Sequence, residues 1–88
     1  MAESGKTIRL SGHARTQLAH RGTSEQEVQE AIREGNWGNA EGGRRDSRKD
    51  YKFDAEWNGR RYGTKQVRPV FVEEAGEIVV VTVYVYYF

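Results

Sequence analysis

Two histidines, a group of cations and a hydroxyl-bearing segment near the C-terminus are the residues of this chain whose types and spacing could do chemistry. His13 follows Ser11-Gly12 in what reads as the first turn of a helix. Free backbone N–H groups and the positive helix end there favour a phosphate or another anion. Imidazole titrates near neutral pH, so His13 can meet such an anion as an acid or as a base. The alternative left open is that His13 only hydrogen-bonds across the helix start and fixes a strand-to-helix corner. His20 lies seven residues on, on nearly the same helix face but about 10 Å away along the axis. The two imidazoles therefore cannot share a metal ion. With no cysteine and no carboxylate at ligand spacing beside either of them, neither a metal nor another cofactor is expected. At a helix C-terminus His20 reads first as a partner of the helix dipole and second as a substrate contact.

Among the cations, Lys52, Lys65 and Arg68 are expected beside the hydroxyl groups of the last strand, with Arg15 and Arg21 contributed by the first helix. Arginine offers phosphate a two-pronged fork and lysine a point charge. Thr82 can bind a phosphate oxygen, and Tyr84 can stack on a base or donate a hydrogen bond. The plainer alternative for each is a solvated charge or a β-forming tyrosine.

Two helices and a sheet must position these groups. Ile8 and Leu10 alternate with polar neighbours in a brief strand or extended lead-in. Ser11 is an N-cap for a helix over 13–21, which Gly22 closes. Ser24 and Glu27 form a capping box for a second helix, in which Val28, Ala31 and Ile32 make one apolar stripe before Gly35. Thr23 stands where a hydrophobic staple residue would pack on Val28. Residues 36–50 lose hydrophobic periodicity and read as a long loop pinned by Trp37. Its basic cluster Arg44, Arg45, Arg48 and Lys49 is either a ligand-contacting flap or a solvated face.

Tyr51, Phe53, Ala55 and Trp57 then alternate with polar residues up to Asn58-Gly59, the favoured two-residue hairpin turn. That hairpin predicts Trp57 opposite Arg60, Glu56 opposite Arg61 and Lys52 opposite Lys65, a like-charge pair that calls for an anion between its members. Pro69 predicts a bulge, an edge or a break. The segment 77–88 reads as a central strand, with Val79, Val81, Val83 and Val85 toward the helices and Thr82, Tyr84 and Tyr86 on the other face. The expected fold class is α+β, with two N-terminal helices on one face of an antiparallel sheet of three to four strands.

At 88 residues and 36% hydrophobic content, the chain has material for one domain over 1–88 with a thin core. A net charge of +1 argues against attachment to nucleic acid or membrane by bulk charge alone. Its distribution is uneven: Glu25, Glu27, Glu30 and Glu34 make an acidic helix face, and the later cations a basic sheet edge. No apolar leader or membrane span is visible, so a cytoplasmic location and no membrane partner are expected.

The motifs Ser11-Gly12-His13-Ala14, His20-Arg21-Gly22-Thr23-Ser24 with Glu27-Val28 and Ala31-Ile32, Gly59-Arg60-Arg61-Tyr62, and Val81-Thr82-Val83-Tyr84 carry a resemblance. Together they resemble a bacterial domain-of-unknown-function family with a Ser-x-His-Ala start and a Val-Thr-Val-Tyr ending. That family is similar in layout to the RelE-like group of the barnase, EndoU, colicin and RelE fold. This chain departs from the pattern at Thr23, usually apolar, and at His20, where a charged residue is common. The resemblance implies an RNA-binding, metal-independent ribonuclease of toxin type. Within it, His13 would act as acid or base, Lys52, Lys65 and Arg68 would stabilise the phosphate, and Thr82 and Tyr84 would line the cleft. Two further readings are a non-catalytic module that forms a homodimer or holds an antitoxin-like inhibitor, and a degenerate nuclease fold that binds RNA without cleaving it.

Overall fold

The computed structural model describes residues 6–88. Its elements run β1 (Thr7–Leu10), α1 (Gly12–Arg21), α2 (Glu25–Glu34), β2 (Asn36–Asn39), β3 (Arg45–Trp57), β4 (Arg60–Glu73) and β5 (Glu77–Tyr87), with a 3-10 turn at Glu41–Gly43. Ser11 starts α1 as expected, its Oγ accepting the Ala14 N–H at 3.1 Å. Gly22 ends it at φ 78°, with its own N–H and that of Thr23 bonded back to Ala19 and Leu18 in a Schellman motif. Ser24 Oγ likewise accepts the Glu27 N–H at 3.2 Å. The Glu27 carboxylate does not complete the box, because Oε1 accepts from the Thr23 hydroxyl and from Lys65 Nζ, each at 2.8 Å. Thr23 thus replaces an apolar staple with a polar one.

The sheet has five strands in the order β1-β5-β4-β3-β2, with β1 parallel to β5 and every other pair antiparallel. The fold is α+β, and the expectation of three to four antiparallel strands is corrected to a mixed sheet of five. β1, read as a brief strand or lead-in, joins the sheet parallel to β5, and the missed strand, β2, lies in short polar sequence. Residues 36–50 are not a long loop: β2 pairs with the start of β3, from Asn36↔Arg48 to Asn39↔Arg45. Periodicity fails there because buried positions on both faces of the sheet carry polar residues whose bonds are satisfied. Ser47 is fully buried and its hydroxyl donates to the Ala31 carbonyl, and Asp46 is buried against Arg68. Trp37 pins the hairpin, donating from Nε1 to the Ile32 carbonyl at 2.7 Å and meeting Phe71 edge-on.

Ile8, Leu10, Val67, Phe71, Ile78, Val80 and Val83 cover one face of the sheet and pack on Ala14, Val28, Ala31 and Ile32 of the helices. On β5 this differs from the expected row. Val70 pairs with Thr82 but Phe71 with Val80, so Val81 is an extra residue and the inward face switches from Ile78 and Val80 to Val83 and Val85. Val79 and Val81 therefore leave the row assigned to the helices. Pro69 does not break β4, which keeps one register with β3 across it, and the expected bulge falls just beyond, where the register with β5 shifts between Val70 and Phe71. Lacking an N–H, the proline opens a lapse in the β3 ladder between Asp46↔Val70 and Lys49↔Val67.

The β3–β4 hairpin turns at Asn58 (φ 53°) and Gly59 (φ 83°), with Trp57↔Arg60 and Glu56↔Arg61 as expected. Nearer the core, Asp54 takes φ 47° and the register moves by one, so that Lys52 faces Thr64 and Lys65 faces Tyr51. The opposed lysine pair does not form. Among the described residues no helix is long and apolar enough to cross a membrane.

Candidate ligand-binding face of the sheet

The register shift decides where Lys65 goes. It lies on the helix side, 8% exposed, donating to the Gly22 carbonyl at 3.0 Å and to Glu27 Oε1 at 2.8 Å. The rings of Tyr51 and Phe53 lie within 6 Å of its ammonium. The Tyr51 hydroxyl in turn donates to Glu30 Oε1 at 2.7 Å. Lys65 therefore ties the end of α1 to the start of α2, with the sheet between it and Thr82.

The Tyr51 bond is the main cause that holds the Glu30 carboxyl below its usual value of 4.5. A group whose folded pKa is lowered adds stability that is complete above its unfolded value and is lost as pH falls through the folded one. In a thermal-melt series taken down through the carboxylate range, Glu30→Gln should therefore lose less melting temperature below about 4.5 than wild type. Identical slopes would contradict this. Burial, and then the same bond, push the Tyr51 phenol up.

The opposite face of the sheet has no helix on it. Arg68 organises it, donating from Nε to Asp46 Oδ2 at 2.8 Å and from Nη1 to the Tyr86 hydroxyl at 3.3 Å. The Asp46 bond is the first cause raising the Arg68 pKa. Asp46 fits because its partner across the β2–β3 pair is Gly38, where a Cβ would come within 3.0 Å of Oδ1. The guanidinium carbons of Arg68 and Arg21 lie 5.4 and 5.6 Å from the centre of the Tyr84 ring. Arg21 Nε is buried and has no hydrogen-bond partner among the described residues. Tyr84 and Tyr86, 38% and 42% exposed, set their rings 6.5 Å apart with 13° between the planes.

A cleft of about 400 Å³ opens beside them, lined by Ala40, Glu41 and Arg44 from the β2–β3 connection and by Arg68, Val70, Thr82 and Tyr84 from the sheet. Arg44 is exposed, and its side chain makes no ion pair or hydrogen bond with another described residue. The Thr82 hydroxyl is committed elsewhere. β1 stops at Leu10↔Val80, leaving β5 without a strand on that side, and Gln17 of α1 covers the gap. Gln17 Oε1 accepts the Val83 N–H at 2.7 Å. That atom must therefore be an oxygen, and the Thr82 hydroxyl, 3.0 Å away, must donate to it. Thr82 keeps lone pairs for a ligand but not its proton.

Of the residues read from the sequence, Arg68, Thr82 and Tyr84 meet in this cleft and Arg21 reaches its Tyr84 wall. Lys52 is exposed on the same face, in line with Thr64 of β4. His13 is exposed one helical turn before Gln17 and is not part of the cleft lining. His20 is exposed in the last turn of α1. Arg15 is paired with Glu25 at 3.0 Å and joins the two helices. The set His13, Lys65 and Thr82 is therefore not brought together. Asp46, Gln17 and Tyr86 were missed by the sequence reading as parts of the site. Tyr86 was legible from its two-residue step after Thr82 and Tyr84, whereas nothing in the polar run 36–50 marked Asp46. No group of three His, Cys, Asp or Glu able to hold a metal occurs among the described residues. Comparison with known proteins adds no relative, since no family model, no curated protein and no solved structure matches the chain.

Proposed function

We propose that the helix-free face of the sheet binds single-stranded RNA without cleaving it, with bases stacked on Tyr84 and Tyr86 and a phosphate held in the cleft by Arg44 and Arg68. The observation that carries this reading is a pair of exposed, nearly parallel tyrosine rings flanked by two guanidinium groups. Aromatic faces beside cations suit a ligand that is both planar and anionic. Arg44, Arg48 and Lys52 extend the positive charge along the same face. The resemblance to the RelE-like group, with its ribonuclease toxins, supports RNA as the nucleic acid. Binding is preferred to cleavage because Lys65 serves the fold and Thr82 has its proton committed to Gln17.

Fluorescence anisotropy with a labelled single-stranded RNA tests it. Binding should weaken with salt, and Arg44→Gln should weaken it further while lowering the salt slope by about 0.7, the share of one phosphate contact. RNA should stay intact with or without chelator. Absence of binding at low salt would overturn the reading, and RNA cleavage abolished by His13→Ala would restore a catalytic one. A second reading, in which a second copy or an antitoxin-like inhibitor covers the face, is favoured by Phe88, 60% exposed beyond Tyr86. Light scattering separates the two, because a stable dimer that excludes RNA would support the second.

A further inference from the structure

Phe88 is the large apolar side chain that neither the core nor the cleft explains. Among the described residues it is the most exposed large hydrophobic one, yet its backbone is fixed, because its N–H and carbonyl exchange hydrogen bonds with Thr64 at 3.0 and 2.8 Å. It lies two residues beyond Tyr86, as Tyr86 lies two beyond Tyr84. Alternation along a strand puts all three on the helix-free face.

Side chains on one face of a strand recur every ~6.6–6.8 Å, and the Tyr84 and Tyr86 ring centres are 6.5 Å apart. That is about twice the ~3.4 Å step of stacked bases. Neighbouring bases that each meet one ring must therefore be unstacked from one another and carried on an extended backbone. The cations fit a strand laid along this row. Arg68 stands across from Tyr84, with Arg44 in the adjoining cleft, and Thr64 across from Phe88 is itself in line with Lys52. Cations thus stand at both ends of the aromatic row, Arg68 sharing its charge with Asp46, while between them Gln66, across from Tyr86, donates to Asp50 Oδ1 at 2.8 Å and holds that carboxylate.

We infer that Tyr84, Tyr86 and Phe88 form a three-step ladder that holds three consecutive nucleotides of single-stranded RNA, one base to each ring, along β5. The ladder rests on the RNA-binding reading and gives it a footprint. A dimer interface has no reason to place cations at each end of the row, whereas a polyanion does.

The test is a length series of 5′-phosphorylated oligoadenylates, from one to six nucleotides, competing with labelled RNA for the full chain. Affinity should rise roughly 5- to 150-fold with each nucleotide up to three, the range for stacking one base on one aromatic, and then level off. Phe88→Ala should abolish the third step, and Phe88→Trp should restore it. Exposure of Phe88 leaves the core untouched by either substitution, which a melting curve verifies. Affinity that climbs without a break to six nucleotides, or a third step that survives Phe88→Ala, would overturn the ladder while leaving RNA binding in place. Failure of every oligonucleotide and of the labelled RNA to bind would overturn the underlying reading as well.

Discussion

Replacement of Gly22 by alanine is expected to cost about 3 kcal/mol of stability, made up of ~1 kcal/mol for a side chain in the left-handed region and ~2 for overpacking. Gly22 sits at φ 78°, and a Cβ built on it would lie 2.3 Å from the Tyr87 hydroxyl oxygen and 2.7 and 2.9 Å from Trp57 ring carbons. Neither neighbour is free to swing away. The Tyr87 hydroxyl donates to the Arg21 carbonyl at 2.7 Å, and the two rings stack at 4.9 Å with 16° between planes. A loss of about 3 kcal/mol is a large part of the roughly 5–10 kcal/mol a small protein commands. It should lower the melting temperature by about 15 °C. Gly59 is the control, with φ 83° but nothing within 4 Å of a built Cβ. Gly59→Ala should lose only the backbone share, about 1 kcal/mol. Urea or thermal melts of both variants compare the two, and equal losses would show that close packing at Gly22 is not the cause.

Lys65→Met is the second large effect. Removing the ammonium leaves the Glu27 carboxylate, a quarter exposed, with only the Thr23 hydroxyl, and leaves the Gly22 carbonyl without this donor. Breaking one side of a mostly buried ion pair costs more than the pair contributes, here about 3 kcal/mol. The double variant with Glu27→Gln should recover part of that loss, because the uncompensated charge disappears. RNA affinity, measured at a temperature where Lys65→Met is folded, should match wild type. A folded Lys65→Met protein that no longer binds RNA would return this lysine to the site.

Local chemistry made much of the fold legible. Ser11, Gly22, Ser24 and Gly35 bound the two helices, and Asn58-Gly59 turns the hairpin. What escaped was the count of residues along the strands. Asp54 and Val81 each insert one residue, and each insertion changes partners or faces for everything beyond it. Asp54 undid the Lys52 and Lys65 pair, and Val81 exchanged the helix-facing valines of β5. Neither residue type announces a bulge. Asp46 and Ser47 escaped for a different reason, since a buried polar residue with its bonds satisfied looks in sequence like an exposed one. The shared placement of Thr82, Tyr84 and Arg68 was legible, because they lie on the side of the bulges where alternation still holds. The expected catalytic set is not brought together, because Lys65 lies on the helix side of the sheet, Thr82 on the opposite face and His13 on the exposed surface of α1.

The claim that the helix-free face is the binding surface is tested most directly by amide chemical-shift mapping of the full chain as single-stranded RNA is added. Shifts are expected at residues 44–46, 66–68, 70 and 82–88, saturating together, while Glu25–Glu34 of α2 stay in place. Shifts confined to α2, or none at RNA concentrations that saturate the anisotropy signal, would contradict the account.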